Sequence, residues 1–309
     1  MDSLSSIRQI LLTAMPACAL FLSSCGGGDS DSTTTPTPTP TPIVDTYPSP
    51  TDYAQDFSFA SDLGYAFTRF RVDEVDYIIA SNLTNDSKSA NLSYKNSPEQ
   101  IELSIEGRSL FFVGAERFVS TPSRQYNRSE EYLLIGFHDQ IRTRYVTDVI
   151  GRWPIGKQIW NGQEVPAYRF AMAFFGKPSK SGGSIPNFLG YDGYPVVFSA
   201  SNGATIMLQP GPASWSITPS KTDAPVSGSV PLAISEENTV KPVAMLQVSG
   251  NFDSTTNEIR GRLFDAENDF QGTFRGKLYG PDRAEMAAVF EFSQKSSGLY
   301  YLGHFTGKR

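Results

Sequence analysis

Few side chains in this sequence have the types and spacing that catalysis requires. His138 and His304 are its only histidines, and no Gly-x-Ser-x-Gly turn places a serine nucleophile near a base. His138 follows an apolar run and is expected at a strand end that leads into a turn, with a position at a pocket mouth as the alternative. His304 alternates with Phe305, so we expect it on the outer wall of a strand, facing solvent. We predict that the protein is not an enzyme and has no catalytic residue.

Clusters of acidic residues are the candidates for cation binding. Residues 265–269 carry three acids at alternate positions, as a calcium loop would, but the glycine and the later glutamate of an EF-hand are missing. A solvated hairpin turn explains this segment better, and the acids within residues 73–76 likewise favour a polar turn. Because the sequence has no histidine pair or cysteine cluster, we predict no metal site and no cofactor.

Cys25 is the one residue for which we predict a covalent modification. It ends the sequence LSSC and is followed by glycine, which resembles the lipobox of bacterial lipoproteins. The apolar run over residues 10–22 has the length of a signal-peptide core and is too short to span a bilayer. We predict that residues 1–24 are a signal peptide and that Cys25 carries the lipid that anchors the protein in a membrane. The alternatives are an ordinary secretory signal with a chance cysteine and an N-terminal core helix.

Residues 25–55 have the composition of a tether. They include three consecutive glycines and a threonine-proline alternation, which favours extended polyproline II. The formal net charge of the chain is −6, which gives no electrostatic basis for binding nucleic acid or an anionic lipid surface. We therefore predict a folded body held away from the membrane, without a nucleic-acid partner.

The body after this tether has the pattern of a β-protein. Short alternating or apolar segments are separated by Gly, Pro, Asn and Asp, and towards the C-terminus they recur every 8–12 residues or so, as in a sandwich or barrel. Residues 141–149 are the best candidate for a helix, and the loop-rich residues 176–187 indicate a boundary. The predicted strands cover residues 66–72, 75–80, 101–105, 110–113, 132–137, 195–200, 205–209, 214–218, 226–234, 243–252, 258–265, 270–279, 285–293 and 298–306.

One of these strands alternates completely. Residues 270–278 place Phe, Gly, Phe, Gly and Leu on one face and polar side chains on the other. Glycines between phenylalanines allow a strand to bend and leave space for large neighbours. This pattern suits a small, strongly curved barrel whose interior is filled by side chains.

The same region resembles a known family. Residues 272–281 (GTFRGKLYGP) and 284–290 (AEMAAVF) are similar to the closing motif of the transferrin-binding protein B-like β-barrel domain, G-x-F-x-G-x-F-Y-G-P followed by A-x-E-x-G-G-x-F. Residues 224–229, 248–252, 259–261 and 303–309 fit other parts of that pattern. Two alanines, 287 and 288, replace the family's glycine pair. We expect Glu285 to accept backbone hydrogen bonds across the turn and the small pair to admit a tight strand crossing.

The resemblance covers about residues 223–309 and implies the layout of the whole body. In this family the barrel follows an antiparallel β "handle" domain, and outer-membrane lipoproteins display the pair on the cell surface. We therefore expect a mainly β protein with a handle-like domain over residues 56–190 and a closed barrel of about eight strands over residues 191–309, as a single lobe. Family members bind transferrin, complement factor H or haem proteins, which implies a protein or iron- or haem-linked ligand beside an outer-membrane transporter.

Aromatic residues supply the predicted contact surface. The chain contains 21 phenylalanines and 14 tyrosines, and Phe188, Tyr191 and Tyr194 are grouped in a segment with Gly and Asn that we expect to be a loop. Such loops provide rigid contact area for protein partners, whereas packing in a core or a girdle is the alternative. Two other functions stay open: a lipocalin-like binder of a small apolar solute inside the barrel, and a structural or adhesive envelope lipoprotein.

Overall fold

The computed structural model describes residues 49–72, 75–83, 90–118, 123–136, 143–182, 185–200, 211–219, 224–236 and 239–309. These residues belong to one contiguous unit. Within them the regular structure consists of β-strands and two short 3-10 turns, Gly114–Glu116 and Pro281–Arg283, without an α-helix. The predicted mainly β class is confirmed.

The N-terminal part contains two antiparallel sheets. Their strands are β1 (Phe57–Ser61), β2 (Gly64–Val72), β3 (Val75–Leu83), β4 (Ala90–Lys95), β5 (Gln100–Ile105), β6 (Arg108–Val113), β7 (Arg117–Phe118), β8 (Arg124–Arg128), β9 (Glu131–Ile135), β10 (Val146–Trp160) and β11 (Gln163–Gly176). One sheet has the order β1-β4-β5-β6, and the other has the order β3-β2-β11-β10-β9-β8-β7. Leu92 and Leu103 of the four-stranded sheet share a buried cluster with Val149 and Phe175 of the seven-stranded sheet. The two sheets therefore pack face to face.

The helix predicted over residues 141–149 is wrong for residues 146–149, which begin β10. This part of β10 is covered on both faces, since Val149 packs towards the four-stranded sheet and Val146 and Ile150 pack towards the barrel. A strand that is buried on both faces lacks the period of two that would identify it. Here the apolar residues Val146, Val149 and Ile150 also have the i, i+3, i+4 spacing of a helix.

The C-terminal part is a closed antiparallel barrel of eight strands, as predicted. They are β12 (Leu189–Ala200), β13 (Ala213–Ile217), β14 (Pro225–Glu236), β15 (Thr239–Asp253), β16 (Glu258–Asp265), β17 (Phe270–Tyr279), β18 (Glu285–Gln294) and β19 (Leu299–Lys308). Sequential neighbours pair with each other, and β12 pairs with β19 to close the barrel. The strand predicted at residues 205–209 lies outside the described residues.

Aromatic rings fill the described part of the barrel interior. Trp215 stacks on Phe305 with ring centroids 4.8 Å apart, and Phe292 stacks on Tyr301 at 4.8 Å. Phe274 meets Trp215 edge to face at 5.0 Å. These side chains belong to one buried cluster to which all eight strands contribute.

The glycines of the barrel leave room for these rings. A Cβ atom added to Gly250 or Gly261 would lie 2.8 or 2.7 Å from atoms of the Phe274 ring. At Gly272 an added Cβ would collide with the carbonyl oxygen of Glu291 on β18. The glycines between the phenylalanines of β17 thus do what their spacing predicted: they bring strands together and admit large neighbours.

Candidate functional site

The seven-stranded sheet covers one part of the barrel's outer wall. Tyr65, Phe67 and Phe174 of the sheet share a buried cluster with Val289 of β18 and Leu302 of β19. We call this set the interface cluster. Because it is continuous and buried, it joins the N-terminal sheets to the barrel in one orientation.

His304 lies beside the interface cluster, so its predicted exposure to solvent is wrong. Its side chain does point outward from β19, but it is fully buried because the sheet covers that face. The Tyr65 hydroxyl lies 2.8 Å from its Nδ1, and the Phe174 ring meets it edge-on at 5.4 Å. Burial raises the pKa of Tyr65 well above its usual value, so the hydroxyl stays protonated and can donate to Nδ1. This histidine has a packing role.

Glu285 makes the principal polar contact between the two parts. Its carboxylate accepts backbone N–H groups of Arg144, Tyr145 and Val146 at 2.6, 2.7 and 2.9 Å. Glu285 therefore accepts backbone hydrogen bonds as predicted, but the donors belong to the segment that leads into β10. Burial raises the pKa of this carboxyl, and the three N–H groups oppose that shift because they favour the charged form.

A charged contact lies at the edge of the interface cluster. The Lys277 ammonium lies 2.7 Å from the Asp62 carboxylate, and the Arg275 guanidinium donates to the Asp62 carbonyl oxygen at 2.7 Å. Asp62 is in the loop between β1 and β2, so the polar outer face of β17 also contacts the N-terminal part. The polar residues that alternate with the phenylalanines on this strand are thus partly used for docking.

The segment that we predicted to be an aromatic contact loop is a β-strand from Leu189 onward, so that prediction is wrong for Tyr191 and Tyr194. Tyr191 is buried in the barrel interior, and its hydroxyl donates to the Arg283 carbonyl oxygen at 2.8 Å. Tyr194 is half-buried on β12, and only Phe188, which is 59% exposed, lies before the strand. Tyr191 therefore cannot belong to a contact surface. Its alternation with Gly193 is the signal that places it on the inner face.

An open groove of about 640 Å³ lies on the part of the outer wall that the sheet leaves uncovered. Outward-facing residues of β15 to β19 line it, among them Arg262, Phe264, Gln271, Glu291 and Tyr300. Phe264 is 43% exposed. Burial and the nearby Glu291 raise the pKa of Tyr300, so its hydroxyl stays protonated and donates to that carboxylate. The sequence interpretation overlooked Phe264, although its apolar side chain on the outward phase of β16 was a usable signal.

The acidic segment 265–269 is a turn between β16 and β17. Asp265 accepts N–H groups of Glu267 and Asn268 at 3.0 and 3.1 Å and the N–H of Met245 at 3.1 Å. Burial opposes the ionisation of Asp265, but these hydrogen bonds and one from the Asn268 amide outweigh it and lower its pKa. The carboxylate is therefore occupied in holding the hairpin. Among the described residues no group of three His, Cys, Asp or Glu side chains could hold a metal ion.

Several predicted features lie outside the described residues, including Cys25, the tether up to residue 48, His138 and the acids Asp73 and Glu74. Within the described part of the chain, no helix has the length and apolar character needed to cross a membrane.

Comparisons with known proteins give similarities of fold alone. No protein-family profile matches the chain, and no curated protein sequence matches it. Transferrin binding protein B of isotype 1 from serogroup B Neisseria meningitidis is 15% identical, with 80% of this chain and 43% of that chain covered and a TM-score of 0.45. This chain thus spans less than half of that protein.

Two further solved structures are similar. A tryptophan-to-alanine mutant of transferrin binding protein B from Haemophilus parasuis is 10% identical, with 82% of this chain and 76% of that chain covered and a TM-score of 0.33. The N-lobe domain of lactoferrin binding protein B from Moraxella bovis is 10% identical, with 56% and 79% covered and a TM-score of 0.33.

Proposed function

We propose that this protein is a lipid-anchored outer-membrane lipoprotein that binds a protein partner on the outside of its barrel. The observation that carries the proposal is the aromatic packing in the described part of the barrel interior. There Trp215 contacts both Phe274 and Phe305, which favours binding on the outer surface. The same packing disfavours the lipocalin-like alternative, which requires an open internal cup of several hundred cubic ångströms.

The open groove on β15 to β19 is the surface we assign to the partner. It combines an exposed ring at Phe264, a guanidinium at Arg262 and a tyrosine at Tyr300. Aromatic residues and arginine are enriched in the centres of protein interfaces, and hydroxyl and amide groups suit their rims. The groove is formed by five strands that are paired in one continuous ladder, so we expect it to be presented without a change of shape.

The class of partner rests on the family resemblance of residues 223–309. That resemblance supports an iron-carrier or haem protein as the ligand and an outer-membrane transporter as a neighbour. Surface plasmon resonance with transferrin and haemoglobin as probes tests the class directly. Phe264→Glu should weaken binding about ten-fold or more, because it places a charge in a desolvated contact.

A matched control is Phe111→Glu, since Phe111 is 40% exposed on the four-stranded sheet and thus resembles Phe264 in type and exposure. It should change binding less than two-fold. Equal losses in the two variants would exclude the groove. The absence of binding to either probe at micromolar concentration would exclude the iron-linked partner.

The anchor and its location need a separate test. Cys25→Ser should abolish labelling by radioactive palmitate and release the protein from the membrane fraction. Protease added to intact cells should remove the folded body. The amount of the protein in the cells should rise in iron-limited medium. A body that is protected until the outer membrane is opened would refute surface display. Cross-linking that returns only cell-wall proteins and porins would favour a structural envelope role.

A further inference from the structure

We propose that Arg69, Arg71 and Arg152 form a second binding site, for small soluble molecules that carry carboxylate or phosphate groups. They line a groove of about 360 Å³ on the seven-stranded sheet, together with Phe70, Pro166, Tyr168 and Phe170. The proposal is independent of the partner-binding function above, because the groove contains none of the barrel residues.

Strand register places these residues on one face. Phe67 pairs with Phe170, Phe170 pairs with Arg152, and Arg69 pairs with Tyr168. Side chains two residues apart on a strand share a face, so Arg69 lies on the same face as Phe67. The ring centroids of Phe67 and Phe198 of the barrel are 5.2 Å apart. The groove therefore continues the barrel-facing side of the sheet beyond the interface cluster.

Arg152 provides the main argument for a ligand. Its guanidinium lies between two rings, 5.5 Å from the centroid of Tyr132 and 5.4 Å from that of Tyr168. Among the described residues it forms no ion pair, and its buried Nε has no hydrogen-bond partner. Arg169, on the opposite face of the sheet, shows the usual arrangement: its Nε and Nη2 donate to the two oxygens of the Glu106 carboxylate at 2.7 and 2.6 Å. A half-buried arginine without such a carboxylate is prepared to receive one from a ligand.

The other charges of the groove are also mainly positive. The Arg69 guanidinium lies 5.8 Å from the Phe170 ring centroid, and Arg71 is exposed. Two described acids lie close by: Glu130 accepts the Tyr168 hydroxyl at 2.9 Å, and Asp76 pairs with Arg71 in the β2–β3 register. In a chain with a net charge of −6, the charged residues that line this groove are nevertheless all arginines.

The geometry selects the chemistry of the ligand. Guanidinium groups bind carboxylate and phosphate through two parallel hydrogen bonds, and the Tyr132 and Tyr168 rings restrict the directions in which the Arg152 guanidinium can turn. Arg69 and Arg152 are on strands separated by β11, so their backbones are roughly 10 Å apart across the sheet. Two anionic groups of one molecule can therefore be held together, with the Tyr168 ring between them.

Isothermal titration calorimetry of the full chain at low salt is the test. Pyrophosphate and tricarballylate are the probes, and glycerol is the uncharged control. We expect both anions to bind with a dissociation constant below about 1 mM. Glycerol should give no heat of binding. Arg152→Gln should weaken both by about ten-fold or more, because hydrogen bonds to charged groups contribute roughly this much.

Arg260→Gln is the matched control, since Arg260 is a 72% exposed arginine on the barrel and its loss changes the net charge equally. It should alter affinity less than two-fold. Equal weakening in both variants, or no binding of either anion to the unmodified chain, would overturn the proposal. If Arg152→Gln lowers the melting temperature too far for titration, Arg69→Gln replaces it with the same expected and contrary outcomes.

Discussion

We expect Glu285 to contribute more than any other single residue to holding the N-terminal sheets against the barrel. Glu285 is 4% exposed, and its carboxylate accepts three successive backbone N–H groups, those of residues 144 to 146. Glu285→Ala would remove all three bonds and leave the N–H of Val146 buried. The β10 segment would then lose its polar attachment to β18.

The expected cost follows from these contacts. A buried donor left without a partner costs about 1–3 kcal/mol, whereas one that water can reach costs less. Val146 is fully buried, Tyr145 is partly buried and Arg144 is exposed. We therefore expect the free energy of unfolding to fall by about 3 kcal/mol, with most of the loss from the two inner groups.

Urea unfolding and amide hydrogen exchange together provide the assay. Trp153 lies in the cluster between the N-terminal sheets, and Trp215 lies in the barrel, so fluorescence reports on both parts. Exchange should accelerate at residues 144 to 146 in the variant. The Gly136 amide directly after β9, which bonds to the Asp148 carbonyl oxygen at 2.9 Å, serves as an internal reference.

The control is Glu267→Ala, in the exposed turn after β16. It should change the unfolding free energy by less than about 0.5 kcal/mol. A loss below about 1 kcal/mol in Glu285→Ala, with unchanged exchange at residues 144 to 146, would refute the reasoning. The interface cluster would then hold the two parts together without the carboxylate.

Three further variants test the barrel and its junction. Asp265→Asn should lower the free energy of unfolding by about 1–2 kcal/mol at pH 7. Because the folded pKa of Asp265 is lowered, the contribution of its carboxylate is present above about pH 4 and is lost as pH falls through the folded pKa. A stability difference that persists unchanged in urea titrations at acid pH would contradict this role. Gly272→Ala should lower the stability by more than about 3 kcal/mol in thermal unfolding. The control is Gly211→Ala, where an added Cβ would lie 3.4 Å from the nearest side-chain atom, and it should cost less than about 1 kcal/mol. Similar melting temperatures of the two variants would show that the close approach of β17 and β18 is not needed. Tyr65→Phe should cost about 1 kcal/mol by deleting the hydroxyl next to His304, and a more stable variant would argue against that hydrogen bond.

Much of the fold could be predicted from local pattern. The alternation over residues 270–278 identified β17 and its inner face, and β16 and β17 begin and end at the predicted residues. Alternation succeeds here because one face of each barrel strand meets a packed interior, so the sequence has to be apolar at every second position. The glycines were informative for a similar reason, since only glycine fits where strands or rings approach so closely.

The same reasoning failed where an outer face is covered by a distant part of the chain. Alternation placed His304 outside the barrel correctly, yet it could not show that Tyr65 covers it from a strand 239 residues earlier. Tyr191 was assigned to a loop because tyrosine, glycine and asparagine are common in loops, although its inward phase placed it in the core. For Arg152 the sequence shows only an arginine in an apolar segment.

The sequence by itself determined the class of fold, most of the barrel strands and the faces of the side chains on them, because these depend on periods of two along a single strand. Only the tertiary structure decided which outward faces are buried and which stay open. It placed the Glu285 carboxylate beneath the start of β10, left the Phe264 groove uncovered and held Arg152 between two tyrosines. Those outcomes depend on how two separately patterned sheets dock, and docking is governed by shape and long-range contact that no local period encodes.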